Sequence, residues 1–141
     1  MDVIITKKYS LRNQPFYSLV GTVIALVDSD TQSLSFYSQK LKQANMDVSG
    51  FESLSQLADH VTNSPVDVVI FSPSLERLSS EMQVLASFVS KNPQLPLLTM
   101  AKTMQEKEID AIMKLGARMH INRDLSQPRD LLVALEQILL K

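Results

Sequence analysis

The chain has 141 residues, 14 basic and 15 acidic side chains and a formal net charge of −1. Its length and 45% hydrophobic content suit one domain with a substantial core, and the balanced charge disfavours both disorder and non-specific nucleic-acid binding. The absence of cysteine excludes disulfides, thiolate metal sites and cysteine nucleophiles, and the two histidines are far apart, so we expect a cytoplasmic protein without a metal or other cofactor.

The first twenty residues are predicted to form an N-terminal arm, residues 1–20, because they show no clear periodicity and contain Pro15. Basic residues precede an apolar run at 16–27, which superficially imitates a signal peptide. That run ends in two aspartates instead of a small-residue cleavage site, and it is shorter than the roughly 20 residues that a membrane helix needs. We therefore expect no membrane segment, and a single domain over 21–141.

From Thr22 onward, short apolar runs alternate with segments of helical periodicity. Runs that are apolar on both faces are typical of parallel strands covered on both sides. Capping-box pairs predict two helix starts, Ser53 with Gln56 and Thr103 with Glu106. Strands are predicted at 22–27, 47–51, 66–71, 95–101 and 118–122, with a helix after each. This order predicts an α/β, doubly wound (βα)5 sandwich around a five-stranded parallel sheet.

Polar residues stand where the first, third and fifth predicted strands end, which is where ligand sites lie in such folds. The three ends read Asp28-Ser29-Asp30, Ser72-Pro73-Ser74 and Asn122-Arg123-Asp124. With Asp67–Phe71 in the third strand and Gly116-Ala117 before the fifth, the chain resembles the receiver (CheY-like) domains of bacterial response regulators. The resemblance covers about 22–140 and implies a flavodoxin-like, CheY-like fold and a role in two-component signal transduction.

The resemblance also implies a phosphorylation pocket, from which this chain departs at most positions. Receivers carry two adjacent acids after strand one, a phosphoryl-accepting Asp after strand three, a Ser or Thr after strand four and a Lys after strand five. In the same order, this chain has Asp28, Ser29, Ser72, Ala101 and Arg123. Asp30 lies one place beyond the second acid position, and His120 holds the position of the family's aromatic switch residue.

These departures predict a pocket without phosphoryl chemistry. Aspartyl phosphorylation needs a carboxylate nucleophile, a Mg²⁺ ion on oxygen ligands and a cation beside the phosphoryl group. Ser72 cannot form an acyl phosphate, and Arg123 can pair with Asp28 where the metal would sit. We therefore expect no enzyme activity, no catalytic residue and no metal. Two simpler interpretations stay open, with Asp28 as a helix N-cap and His120 as a packing residue.

The resemblance implies an output surface built by the fourth helix, fifth strand and fifth helix, here about 103–141. Its basic residues include Lys107, Lys114, Arg118 and His120, which alternate with acidic residues. This mixed charge suits a signalling protein partner or a homodimer, and it does not suit nucleic acid or a membrane. The leading hypothesis is a pseudo-receiver that works through protein–protein interaction. The alternatives are a small-molecule or anion sensor at the altered pocket, and a residual aspartyl-phosphate receiver that uses Asp30.

Overall fold

The structure, a computed structural model, describes residues 16–139 and contains a five-stranded parallel sheet between two layers of helices. The strands are β1 (Val23–Asp28), β2 (Asp47–Phe51), β3 (Val68–Ser72), β4 (Leu97–Ala101) and β5 (Met119–Asn122). The helices are α1 (Thr31–Gln43), α2 (Leu54–Asn63), α3 (Leu78–Lys91), α4 (Glu106–Leu115) and α5 (Pro128–Leu139). The predicted (βα)5 sandwich is confirmed.

The strand order is β2-β1-β3-β4-β5, so the chain changes direction across the sheet between β1 and β3. The register pairs Asp28 with Ser72 at the carboxyl ends of these two strands. The ends of β4 and β5 are matched in the same way, with Ala101 opposite Asn122. Because parallel strands end at one edge of the sheet, the polar residues of the candidate pocket meet at the point where the strand order reverses.

The three central strands β1, β3 and β4 bury side chains on both faces, which explains why their runs are apolar without alternation. In β1, Ile24 and Leu26 face the layer of α1 and α5, whereas Ala25 and Val27 face α2, α3 and α4. The second layer contributes Leu57, Leu85 and Ile112 to its core, all fully buried. Within residues 16–139, no helix is long and apolar enough to cross a bilayer.

The predicted arm differs from the structure where the two overlap. Residues 1–15 lie outside the described part of the chain. Tyr17–Leu19 form a 3-10 helix instead of an extended segment, and the Leu19 side chain is completely buried in the α1–α5 core layer. A single turn has no periodicity to reveal it, and only the packing of Leu19 shows that the folded unit begins before Thr22.

Helix ends follow local capping chemistry, with one correction. Ser53 and Gln56 cap α2 as predicted, and α4 ends at Gly116, where φ is 122°. The capping box of α4 is Gln105 with Glu108, not Thr103 with Glu106. The Thr103 N–H and hydroxyl instead donate to the carboxylate of Asp124, at 2.8 and 2.9 Å. The helix therefore starts two residues later than the sequence pattern indicated.

Candidate functional site

One arginine connects the ends of β1 and β3. Arg123, just after β5, places Nη1 3.3 Å from Oδ2 of Asp28, and its Nη2 donates to the Ser72 hydroxyl oxygen at 3.0 Å. The Arg123 backbone N–H donates to the Ala101 carbonyl at 2.7 Å, which fixes where the side chain starts. The guanidinium carbon also lies 5.9 Å from the centre of the Tyr37 ring on α1. We call the contacts of Arg123 with Asp28 and Ser72 the arginine bridge.

Asp28 is buried, with 4% of its surface exposed, and both of its carboxylate oxygens are engaged. Oδ1 accepts the Asp30 N–H at 2.9 Å, and Oδ2 faces Arg123. Burial raises the pKa of Asp28 above its ordinary value of 3.8, although the Asp30 N–H and the Arg123 charge oppose that rise. A cation that approached Asp28 would have to displace the guanidinium.

The position of the family's second acid has no equivalent carboxylate. Asp30 is the N-cap of α1, where its carboxylate accepts the Gln32 and Ser33 N–H groups at 3.0 and 3.3 Å. These hydrogen bonds lower the pKa of Asp30 below its ordinary value. The cap of α1 is thus Asp30 and not Asp28, so the N-cap interpretation of Asp28 was wrong.

The remaining pocket positions do not supply a metal site. Ser29 is exposed, Ser72 is 2% exposed with its oxygen facing Arg123, and Ala101 is buried without a hydroxyl group. Among residues 16–139, no three His, Asp or Glu side chains lie close enough together to hold a metal ion. The donors that are present therefore do not fit the Mg²⁺ of an active receiver, which needs several oxygen ligands around it.

The position of the aromatic switch forms a separate polar pair. Thr99 on β4 lies opposite His120 on β5, and its hydroxyl oxygen is 2.8 Å from the His120 Nδ1. Thr99 is completely buried, and the His120 Nε2 is buried without a hydrogen-bond partner among the described residues. Burial lowers the pKa of His120 below its ordinary value of 6.5, so the ring is neutral at neutral pH.

This environment predicts a pH dependence that can be assigned to one residue. Because the folded pKa of His120 is depressed, the unfolded chain binds its proton first, and the free energy of unfolding decreases as the pH falls below about 6.5. The expected result is that the His120→Asn variant loses that part of the slope. Urea unfolding of both proteins across this range, with an NMR titration of the imidazole, measures it. A wild-type imidazole that titrates above 6.5 would contradict the assignment.

Three site residues were missed by the sequence analysis. Asp124 connects the loop after β4 to the loop after β5 through Thr103, and these hydrogen bonds lower its pKa. Tyr37 covers the guanidinium of Arg123, and Glu81 on α3 accepts the Ser74 N–H beyond the end of β3. Asp124 had a signal, since it stands where receivers usually have proline. Tyr37 and Glu81 lie on helices, and the rotation of each helix about its own axis, which decides where these side chains point, is defined only by packing against the sheet.

The predicted output residues lie apart from the arginine bridge. Lys107 and Lys114 are exposed on α4, Arg118 is exposed before β5, and His120 is half-buried. They lie on or beside α4 and β5, which belong to the predicted output surface.

Comparison with known proteins agrees with this architecture. The sequence profile of the response regulator receiver domain matches residues 24–136. The chain is similar to a CheY-like receiver domain protein from Methanospirillum hungatei, with 20% identity, a TM-score of 0.72, and 84% of this chain and 94% of that one covered. It is also similar to a response regulator from Thermotoga maritima, at 12% identity and TM-score 0.76, covering 86% and 100%. A third similar structure is the BeF3-activated DrrB receiver domain, at 19% identity and TM-score 0.71, covering 86% and 100%. No curated protein gives a significant sequence match.

Proposed function

The chain belongs to the response regulator receiver domain family, and from that premise we propose that it is a pseudo-receiver, which no longer accepts a phosphoryl group and signals through protein–protein contacts. It would be a non-catalytic cytoplasmic component of two-component-type signalling. The observation that carries the proposal is the arginine bridge, in which one side chain contacts both the first-acid position and the phosphoacceptor position.

The electrostatics of the bridge support the loss of Mg²⁺ binding. Receivers attract the ion with about three carboxylates against one lysine, as the family resemblance implies. Here the Asp28 carboxylate faces the guanidinium of Arg123, and Asp30 is occupied by the N-terminus of α1. The local charge is close to balanced, so a divalent cation gains little from entering. A guanidinium stays charged at any accessible pH, so the bridge does not release by deprotonation.

The first test is incubation with acetyl phosphate, or with beryllofluoride, in the presence of Mg²⁺. We expect no mass increase and no amide shifts at Asp28, Ser72 or Arg123, because neither a nucleophilic carboxylate nor a metal site is available. Intact-mass spectrometry and amide NMR measure the two results, with an active receiver domain treated in parallel as the control. An acyl phosphate on this chain would refute the proposal and favour a residual receiver that uses Asp30. An acid-stable phosphate, which forms on a hydroxyl group, would also refute the proposal.

The proposed interface is the surface of α4, β5 and α5, with a signalling protein or a second copy of the chain as the partner. Its support is the exposed mixed charge of α4, where Lys107 and Lys114 stand among Glu106, Glu108 and Asp110. Charge reversal at Lys114 and Arg118 is expected to weaken self-association by roughly tenfold, since it places like charges opposite one another. Sedimentation velocity of the variant and of a Lys42→Glu control on α1 measures this. Equal association of both variants would exclude this surface as the dimer interface.

An anion or nucleotide sensor is the second candidate, and one surface feature favours it. Phe36, Tyr37, Lys102 and Arg123 line an open depression of about 460 Å³ beside the bridge. Two aromatic rings and two cations are suited to a base and a phosphate, and the Asp124 carboxylate in the same lining offsets part of the positive charge. Saturable amide chemical-shift changes at these residues on titration with a nucleotide would support the sensor function. No change at millimolar nucleotide would exclude it.

A further inference from the structure

On the opposite side of Ser72, two cavities adjoin and form a single cleft that the arginine bridge does not occupy. The smaller cavity, of about 150 Å³, lies at the strand ends, and the larger, of about 580 Å³, lies between α2 and α3. Leu54, Ser55 and Val84 line both cavities, so the two cavities meet at these side chains. Together they reach the size range of small-molecule sites, about 300–1,000 Å³. We call them the head cavity and the tail groove.

The tail groove has an apolar floor built by two helices. Leu54, Ala58 and Val61 follow one another along α2 at spacings of four and three, and Val84 and Phe88 face them from α3. Val84 is 45% exposed, which is more than the packing of a neighbouring element would leave. An apolar chain laid between the helices would cover this surface.

The head cavity is polar, and its charges oppose a charged guest of either sign. Glu52 and Glu81 line it and would repel an anion. Arg77 lines it as well, together with residues from the first turns of α2 and α3, where helix N-termini carry partial positive charge, and both disfavour a cation. The remaining polar wall consists of hydroxyl groups, from Ser29, Ser53, Ser55 and Ser72. A mixture of hydroxyls, carboxylates and one guanidinium offers donors and acceptors to a neutral hydroxylated group.

We propose that this cleft binds a small neutral amphiphile, with a hydroxylated head among the serines and an apolar tail between α2 and α3. Ser72 lines the head cavity and accepts the hydrogen bond of Arg123, so an occupied cavity touches the arginine bridge directly. The site is separate from the depression at Phe36 and Lys102, and it does not depend on whether the chain can be phosphorylated.

The test uses three probes with the same tail and different heads, namely octyl glucoside, octanoate and octyltrimethylammonium, each below its micelle concentration. Octyl glucoside is expected to shift the amides of Ala58, Val84 and Ser72 saturably, and to bind roughly tenfold more tightly than either charged probe. Two-dimensional amide NMR of the full chain gives both the site and the dissociation constants. Equal affinity for all three heads, or shifts that avoid the cleft, would overturn the proposal.

A matched pair of variants distinguishes binding in the cleft from non-specific binding elsewhere on the protein surface. Val84→Glu places a carboxylate in the tail groove and is expected to weaken octyl glucoside binding by about tenfold or more. Val133→Glu on α5 is the control, because Val133 is exposed to a similar extent, 38% against 45%, on the other face of the sheet. Equal weakening by the two variants, or none by either, would refute the site.

Discussion

Replacing Arg123 with alanine is expected to destabilise the domain by about 3 kcal/mol, a large part of the total stability of a single domain. The variant leaves the Asp28 carboxylate, whose side chain is only 5% exposed, without its cation. It also removes the guanidinium that donates a hydrogen bond to Ser72 and lies over the Tyr37 ring. Equilibrium urea unfolding at neutral pH measures the loss, as a lower transition midpoint at similar slope.

Two controls identify the cause of that loss. Lys102→Ala, at an exposed lysine of the same edge, is expected to change the free energy of unfolding by less than about 0.5 kcal/mol. In an Asp28→Asn background, Arg123→Ala should cost less, because no charge is stranded. The deficit should also shrink at low pH, because the Arg123 charge lowers the Asp28 pKa and its loss raises that pKa further, so the folded variant takes up a proton at a higher pH than the folded wild type does. Equal unfolding midpoints for the Arg123 and Lys102 variants would contradict the buried pair.

Restoring the family's charges is expected to restore metal and phosphoryl-analogue binding. The variant combines Ser29→Asp, Ser72→Asp and Arg123→Lys, and it leaves Ala101 unchanged because that residue is buried in the core. It gains two carboxylates and replaces the fork of the guanidinium with a point charge. At about one hundred times the dissociation constant, Mg²⁺ with beryllofluoride should stabilise it by about 2.7 kcal/mol, whereas the wild type should show no change.

The decisive comparison retains the arginine. A double variant with Ser29→Asp and Ser72→Asp alone is expected to respond much less, because Arg123 would bridge the new carboxylates and exclude the ion. Thermal unfolding with and without Mg²⁺ and beryllofluoride measures all three proteins. A double variant that responds as strongly as the triple variant would show that the missing acids, and not Arg123, abolish binding.

Local patterns predicted the fold because its elements are long and strongly periodic. Thr31–Gln43 and Pro128–Leu139 each bury one face, and the doubly apolar strands could only be parallel ones covered on both sides. The one-turn helix at Tyr17–Leu19 and the start of α4 were missed or misplaced. The first depends on the packing of Leu19 into the core, and the second on the hydrogen bond of Thr103 to Asp124, so in both cases the partners lie far away along the chain.

The candidate site was predicted in outline. The Asp28–Arg123 pair was expected from the positions at the strand ends, and the structure places it at 3.3 Å. The Ser72 hydroxyl accepts a hydrogen bond from Arg123 across 51 positions of sequence, and the sequence analysis did not predict this contact. The sequence left open whether Asp30 substitutes for the family's second acid. In the structure, the turn after β1 places its carboxylate on the first N–H groups of α1.

The sequence alone identified the chemical groups at the carboxyl edge of the sheet, because the strands and their polar ends are visible as local patterns. It showed one matched acid, a serine at the phosphoacceptor position and an arginine at the lysine position. Only the tertiary structure decided how these groups partner one another. Hydrogen bonds and ion pairs act over about 3 Å, so the direction of each side chain, and the cleft between α2 and α3, follow from the packing of helices onto the sheet.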